Sequence, residues 1–174
     1  TLDSYSKRIR NSHTPKLGAD FTLSKKSSIS FVGSGLSTEL DNKTNTLSTD
    51  YNSGLKKNGS YDFSNNAASK WYNYSGNVLF QHQFDTAGTD LAINLDLSTY
   101  QNKTNENYRS IEQDSLDDYV DQSLQHSEQK GKLMIYAIKA DYTRTLKSAV
   151  NIEAGIKSSY VQSDNNTKFF DNIS

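Results

Sequence analysis

Apolar and polar residues alternate one by one through three separate stretches of the chain, and a period of two predicts β-strands. In the first stretch Leu17, Ala19, Phe21 and Leu23 alternate with Gly18, Asp20, Thr22 and Ser24. Lys25, Lys26 and Ser27 supply a tight turn, after which Ile29 and Phe31 resume the apolar face. Pairing Phe21 with Phe31 and Leu23 with Ile29 keeps both apolar sets on one side and predicts a hairpin over about 17–35. In the second stretch, about 71–101, Tyr72, Tyr74, Gly76, Val78, Phe80, His82 and Phe84 share the even face. A turn containing Ala87 and Gly88 then leads to Leu91, Ile93, Leu95 and Leu97. Setting Phe84 against Leu91, Phe80 against Leu95 and Val78 against Leu97 brings the apolar faces together again. The third hairpin, about 133–162, runs through Met134, Tyr136, Ile138, Ala140 and Tyr142, turns near 146–149, and continues through Val150, Ile152, Ala154, Ile156 and Tyr160.

Between these hairpins the apolar signal thins into Ser, Thr, Asn and Lys. The intervals at about 45–68 and 102–130 are predicted as long polar loops, the first with Gly54 and Asn58-Gly59 in its middle. In the second, Leu116, Tyr119, Val120 and Leu124 recur at helical spacing, which predicts a short loop helix. The fold class that follows is all-β: an antiparallel up-and-down meander of about six long strands, read as a section of a transmembrane β-barrel. Strands of about ten residues or more, joined by alternately short and long connections, match a barrel with tight periplasmic turns and extended outer loops. On this reading the lipid-facing candidates are Leu17, Phe21, Leu23, Phe31, Val78, Phe80, Leu91, Ile93, Leu95, Leu97, Ile138, Ile152 and Ile156. The lumen-facing candidates are Asp20, Asn94, Asp96, Lys139, Asp141, Glu153 and Lys157. Trp71, Tyr72, Tyr74, Tyr100, Tyr136 and Tyr160 would form one aromatic girdle, with Phe84 and Tyr142 in the other. A soluble β-sandwich alternates in the same way, so a binding or adhesion module of that type stays open as the alternative.

Composition narrows the function classes. Twenty acidic residues against 19 basic and a pI near 6.3 provide no basic surface for nucleic acid, and no nucleic-acid partner is expected. The chain holds 25 Ser, 14 Thr and 17 Asn, and its 33% hydrophobic content is low for a packed soluble core. With no cysteine there are no disulfides, thiolate metal sites or thiol nucleophiles. No apolar run is long enough for a membrane-spanning helix, and neither a signal peptide nor a plug domain is recognised in these 174 residues. His13, His82 and His126 lie in different segments. The cluster of Glu112, Asp114, Asp117, Asp118 and Asp121 lacks the order of a calcium loop and reads as a solvated acidic loop. No framed nucleophile appears, and cross-strand charge pairing accounts for Asp141 and Glu153 among Lys139 and Lys157. The expectation is no enzyme activity, no cofactor and no metal.

Three stretches carry a resemblance: KLGADFTLSKKSSISFVGSG at 16–35, NVLFQHQFDTAGTDLAINLDLSTYQNKTN at 77–105, and YAIKADYTRTLKSAVNIEAGIKSSYVQSDNN at 136–166. They resemble the outer-membrane β-barrel family related to TonB-dependent receptors, in order and over most of the chain. The resemblance implies an internal barrel portion in the outer membrane of a Gram-negative bacterium that takes part in ligand capture or nutrient transport. It implies as partners the membrane lipid, the rest of the barrel and plug in a parent chain, and through that parent the TonB system. It names no ligand. An isolated piece of such a barrel is expected to associate with other copies through its sheet edges.

Overall fold

The computed structural model describes residues 1–86, 88–146 and 150–172, and among these almost every residue outside the turns is in a strand. The strands are β1 (Leu2–His13), β2 (Lys16–Ser24), β3 (Ser27–Tyr51), β4 (Lys57–Gln83), β5 (Asp90–Gln113), β6 (Tyr119–Leu146) and β7 (Val150–Asn172). All are antiparallel in one sheet of order β1-β3-β4-β5-β6-β7, with β2 also paired to β3. Both β1 and β2 lie along the same side of β3, β1 against residues 37–48 and β2 against residues 27–34. They form one line interrupted at Thr14 and Pro15, so seven segments fill six positions across the sheet. Proline has no N–H to give a ladder, and the break falls on an outer strand, where that loss is tolerated. The Pro15 carbonyl still accepts from Gly35 N at 2.9 Å.

Elements touch only their neighbours in the sheet. Among the described residues no hydrophobic side chain is buried. The soluble sandwich kept as an alternative therefore does not form, because a sandwich needs a second sheet to seal the inner faces of the first. This sheet is a single layer, held by its backbone ladders, with both faces open.

Two predicted registers are corrected. Phe21 lies opposite Ile29 and Ala19 opposite Phe31, with a bulge between Thr22 and Ser24 that contains Leu23. Val78 lies opposite Leu95, Phe80 opposite Ile93 and His82 opposite Leu91. Each differs from the predicted pairing by two residues. A shift of two leaves every side chain on its own face, so apolar alternation cannot detect it and the turn geometry decides. Lys25 and Lys26 form a two-residue turn between β2 and β3. Between β4 and β5, Phe84 N donates to Thr89 O at 2.8 Å and Thr89 N to Asp85 Oδ1 at 3.0 Å. The turn predicted at 146–149 lies, apart from Leu146, outside the described residues.

The larger correction concerns the intervals at 45–68 and 102–130, which are strand over most of their length, with only 52–56 and 114–118 turning. The predicted loop helix is absent too, since β6 begins at Tyr119. The two turns are built alike. Asn52 Oδ1 accepts from Gly54 N and Lys56 N, both at 3.0 Å. Asp114 Oδ1 accepts from Leu116 N at 2.8 Å and Asp118 N at 3.0 Å. Each turn then places its fourth residue in the left-handed region, Leu55 at φ 59° and Asp117 at φ 68°. A short polar side chain that binds the backbone two and four residues on can reverse the chain within five residues. The strands are thereby free to continue, and their Ser and Thr residues meet across the ladder, as in Ser4–Thr46 at 3.0 Å, Ser12–Thr38 at 2.9 Å and Ser69–Thr104 at 3.0 Å.

Candidate functional site

Residues directly opposite in an antiparallel ladder share a face, so the register assigns each side chain to one of two surfaces. One face carries the row Ala19, Phe31, Val78, Leu95, Ile138 and Ser158, flanked by Phe21, Ile29, Phe80, Ile93, Ala140 and Ile156. Leu17, Leu97, Tyr136 and Tyr160 lie in the next row, and Leu91 and Tyr142 near the turn end. Ile152, opposite Arg144, is on this face as well. Every predicted lipid-facing residue thus falls on one surface, except that Leu23 sits in the bulge. Leu95, Leu97 and Ile138 keep 45%, 48% and 48% of their area exposed. At ~25 cal/mol per Å² each has on the order of 1–2 kcal/mol to gain from a nonaqueous surrounding.

The height of this band is measurable in residues. From Tyr74 to Phe84 the chain advances ten residues, or about 34 Å at ~3.4 Å per residue. At the ~40° strand tilt of a barrel this is about 26 Å along the membrane normal, close to the ~25 Å apolar band of outer-membrane barrels. Tyr74, Tyr136 and Tyr160 border the band above, with the last two rings 6.3 Å apart. Phe84 and Tyr142 border it below, with rings 6.4 Å apart. Three residues predicted for the upper girdle are elsewhere: Trp71 and Tyr100 project from the opposite face, and Tyr72 stands one row above Tyr74.

That opposite face is polar over the same span, and all seven predicted lumen-facing residues lie on it. Asp20, Ser30, Leu79, Asn94, Lys139 and Lys157 form one row across the sheet. Asp96 and Asp141 belong to the rows on either side of it, and Glu153 to the row beyond that of Asp141. Asn77 Nδ2 donates to Asn94 Oδ1 at 2.7 Å and to Asp96 Oδ1 at 2.6 Å, while Asn94 Nδ2 donates to Asp96 Oδ2 at 2.7 Å. The predicted cross-strand charge pairing is corrected. Lys139 Nζ meets Asp141 Oδ2 at 2.6 Å along the same strand, and across the ladder Lys139 faces another cation, Lys157.

A single sheet with a lipid-height apolar band on one side and a hydrogen-bonded polar wall on the other has a counterpart among known proteins. The sequence profile of the outer membrane protein beta-barrel family matches residues 82–174, more than half of the chain. The chain belongs to that family. No curated protein matches it. The matched residues cover the end of β4 and all of β5, β6 and β7. Residues 1–81 continue the same sheet without a break in the ladder from β5 to β4 to β3, so both parts belong to one barrel wall in the outer membrane.

Beyond the apolar band the barrel strands carry charge. Lys70 Nζ donates to Glu39 Oε1 at 2.6 Å, which holds the Glu39 carboxyl below its ordinary value and the Lys70 ammonium above. Lys57 pairs with Asp117 of the neighbouring turn. The acidic cluster thus disperses, with Asp114 closing its own turn and Asp117 neutralised by Lys57. No group of three or more His, Asp or Glu able to hold a metal ion occurs among the described residues. His82 Nδ1 meets Ser27 Oγ at 2.8 Å, and His126 Nδ1 meets Asn107 Oδ1 at 2.8 Å.

Farther out, the Tyr108 hydroxyl donates to Glu106. That bond, then burial, then the Glu106 charge push the phenol up to about 12. A raised folded-state pKa is stabilising below the unfolded value of ~10 and loses its contribution as pH climbs from there toward 12. Ultraviolet titration of the folded barrel is expected to show a late tyrosine step near pH 12 that Tyr108→Phe removes. Persistence of the step in the variant would refute the assignment.

Proposed function

We propose that this chain forms part of the wall of a TonB-dependent-receptor-like barrel in a Gram-negative outer membrane, taking part in ligand capture or nutrient transport by binding and passage, without bond chemistry and without a cofactor. The observation that carries the proposal is the separation of the two faces at lipid height. The apolar face meets acyl chains, and the face bearing Asp20, Asn94, Asp96, Lys139, Asp141, Glu153 and Lys157 lines the lumen. The outer strands, β1 with β2 on one side and β7 on the other, each present a row of backbone groups with no partner strand among the described residues. The remaining strands of the parent barrel close against those edges around a plug, and nucleic acid has no part. Alone, the piece pairs with its own copies instead.

These 174 residues contain no cysteine, so single cysteines placed here test the proposal directly in membranes, in a parent protein whose cysteines elsewhere are replaced by serine. Asn94→Cys is expected to react with a membrane-impermeant maleimide, while the adjacent Leu95→Cys is protected and reports contact with lipid. Reaction of Leu95→Cys from water with protection of Asn94→Cys would overturn the assignment of faces. The receptor part rests on the parent reading frame: a plug and a TonB-contacting segment upstream support it, and their absence from the complete frame refutes it.

A further inference from the structure

On the apolar face, immediately above the tyrosines, the ladder places Lys70, Lys103 and Lys130 side by side on adjacent strands. Like charges directly opposite one another destabilise a sheet unless an anion lies between or upon them. Lys70 is neutralised by Glu39, and Lys130 has only Glu128 at 3.8 Å, which His126 shares at the same distance. Lys103, in the middle, forms no ion pair among the described residues, and neither does Lys132 one row below nor Lys168 one row above. These ammonium groups line an open depression of about 530 Å³ with Tyr72, Gln101 and two carboxylates, Glu128 opposite Lys168 and Asp164 opposite Lys132, so its four lysines outnumber its acids by two.

A second, separate hollow lies on the same face. Gly33 lies opposite Gly76, and a Cβ on either would meet nothing within 4 Å. The missing side chains leave an apolar hollow of about 690 Å³ walled by Phe31, Val78, Leu95, Leu97, Ile138 and Tyr136. One row, that of Tyr74, Thr99 and Met134, separates the hollow's tyrosine from Lys132. Each row rises ~6.8 Å along the strand, about 5 Å along the normal at ~40° tilt. Lys132 therefore stands about 5 Å, and Lys103 with Lys130 about 10 Å, above the Tyr74 level. The headgroup layer is about 5–8 Å deep on each side of the hydrocarbon, and a lysine stem can bend its ammonium back toward that layer.

We propose that these two hollows form one binding site for a single membrane lipid with a phosphorylated headgroup, its phosphate held by Lys103, Lys130 and Lys132 and an acyl chain laid over the Gly33–Gly76 gap. The proposal rests on the lipid-facing assignment made above. The site binds by charge and shape, and no covalent step is involved. An ammonium cluster at headgroup height selects anionic over zwitterionic lipid, and the glycine gap selects for a chain long enough to reach it. Lipid seated there relieves the repulsion among the three lysines.

Native mass spectrometry of the intact protein in neutral detergent tests the proposal, with long-chain phosphatidic acid, phosphatidylcholine of the same chains, and inorganic phosphate as probes. Phosphatidic acid is expected to bind at least ~10-fold more tightly than either control. The triple substitution Lys103→Gln, Lys130→Gln, Lys132→Gln is expected to abolish that preference. Gly76→Val fills open space and so keeps the fold; it is expected to weaken phosphatidic acid severalfold. Equal binding of inorganic phosphate would make the lysines a free-anion site and overturn the proposal, as would an unchanged preference in the triple variant. The Leu95→Cys labelling separates the two readings. If that residue reports lipid while phosphatidic acid shows no preference, only the lipid site fails; if it reports water, the face assignment itself has failed.

Discussion

Replacing Leu95 with arginine is expected to lower the stability of the intact barrel in a bilayer by ~2–4 kcal/mol, the cost of a charged side chain at the lipid midplane. Leu95 lies in one of the two central rows of the six that run from Tyr74 to Phe84, between the row of Phe80 and Ile93 on the turn side and that of Gly76 and Leu97 on the other. Snorkelling toward either headgroup layer is therefore longest from this position. The neighbouring Asn94→Arg is the control, because it points the same charge to the opposite face beside Asp96. It removes the amide bonds to Asn77 and Asp96 but gains a carboxylate partner, so its cost is expected to stay below about 1 kcal/mol. Urea titration of the reconstituted protein, followed by loss of heat-modifiable mobility, reads both. Equal losses for the two variants would remove the distinction between a lipid face and a water face.

The second large effect is at the turn between β4 and β5. Gly88 has φ +94°, and a Cβ there would stand 2.7 Å from Thr145 Oγ1 on the adjoining strand. Gly88→Val combines a left-handed backbone penalty of ~1–2 kcal/mol with displacement of Thr145, which itself donates to Gly88 O at 3.4 Å and to Asn151 Oδ1 at 2.9 Å. A total near ~2–3 kcal/mol is expected in the same titration. Gly76→Val, with extended backbone and no atom within 4 Å of the new Cβ, is expected to change stability by under about 1 kcal/mol. If the two valines proved equivalent, the close approach of Thr145 to the turn would be wrong.

The contrast between these glycines shows which parts of the molecule were legible in the sequence. Alternation placed Val78, Phe80, Leu95 and Ile138 on one face and Asn94, Asp96 and Lys139 on the other, because strand side chains have a period of two and nothing local competes with it. The pairing partners were missed by two residues in both hairpins where a register had been predicted, since a shift of two conserves the faces. The intervals 45–68 and 102–130 were read as loops for want of apolar residues. In these strands, however, hydroxyl and amide side chains meet one another across the ladder, and low hydropathy there marks a sheet wet on both sides. The signal that was available lay in the turns: Asn52 and Asp114 are each followed by serine and stand five residues from the return of the strand. Strand β1 was overlooked because Ser, Lys and Arg dominate it. The lysine row escaped notice because Lys70, Lys103 and Lys130 belong to three different strands and only the register unites them.

The continuation of β3 through β7 well past the apolar band has a mechanical consequence. Strands of 23 to 28 residues reach about 75–95 Å at ~3.3–3.4 Å per residue, or about 57–73 Å along the membrane normal at ~40° tilt, roughly twice a hydrocarbon thickness of ~30 Å. What projects into water is a hydrogen-bonded palisade closed by five-residue tips, in place of a fringe of mobile coils. In the capture role proposed above, a solute would meet a rim whose shape is already set, and binding there would forfeit little chain entropy. Amide hydrogens midway up the projecting ladder would accordingly exchange slowly, and only the tips would exchange fast.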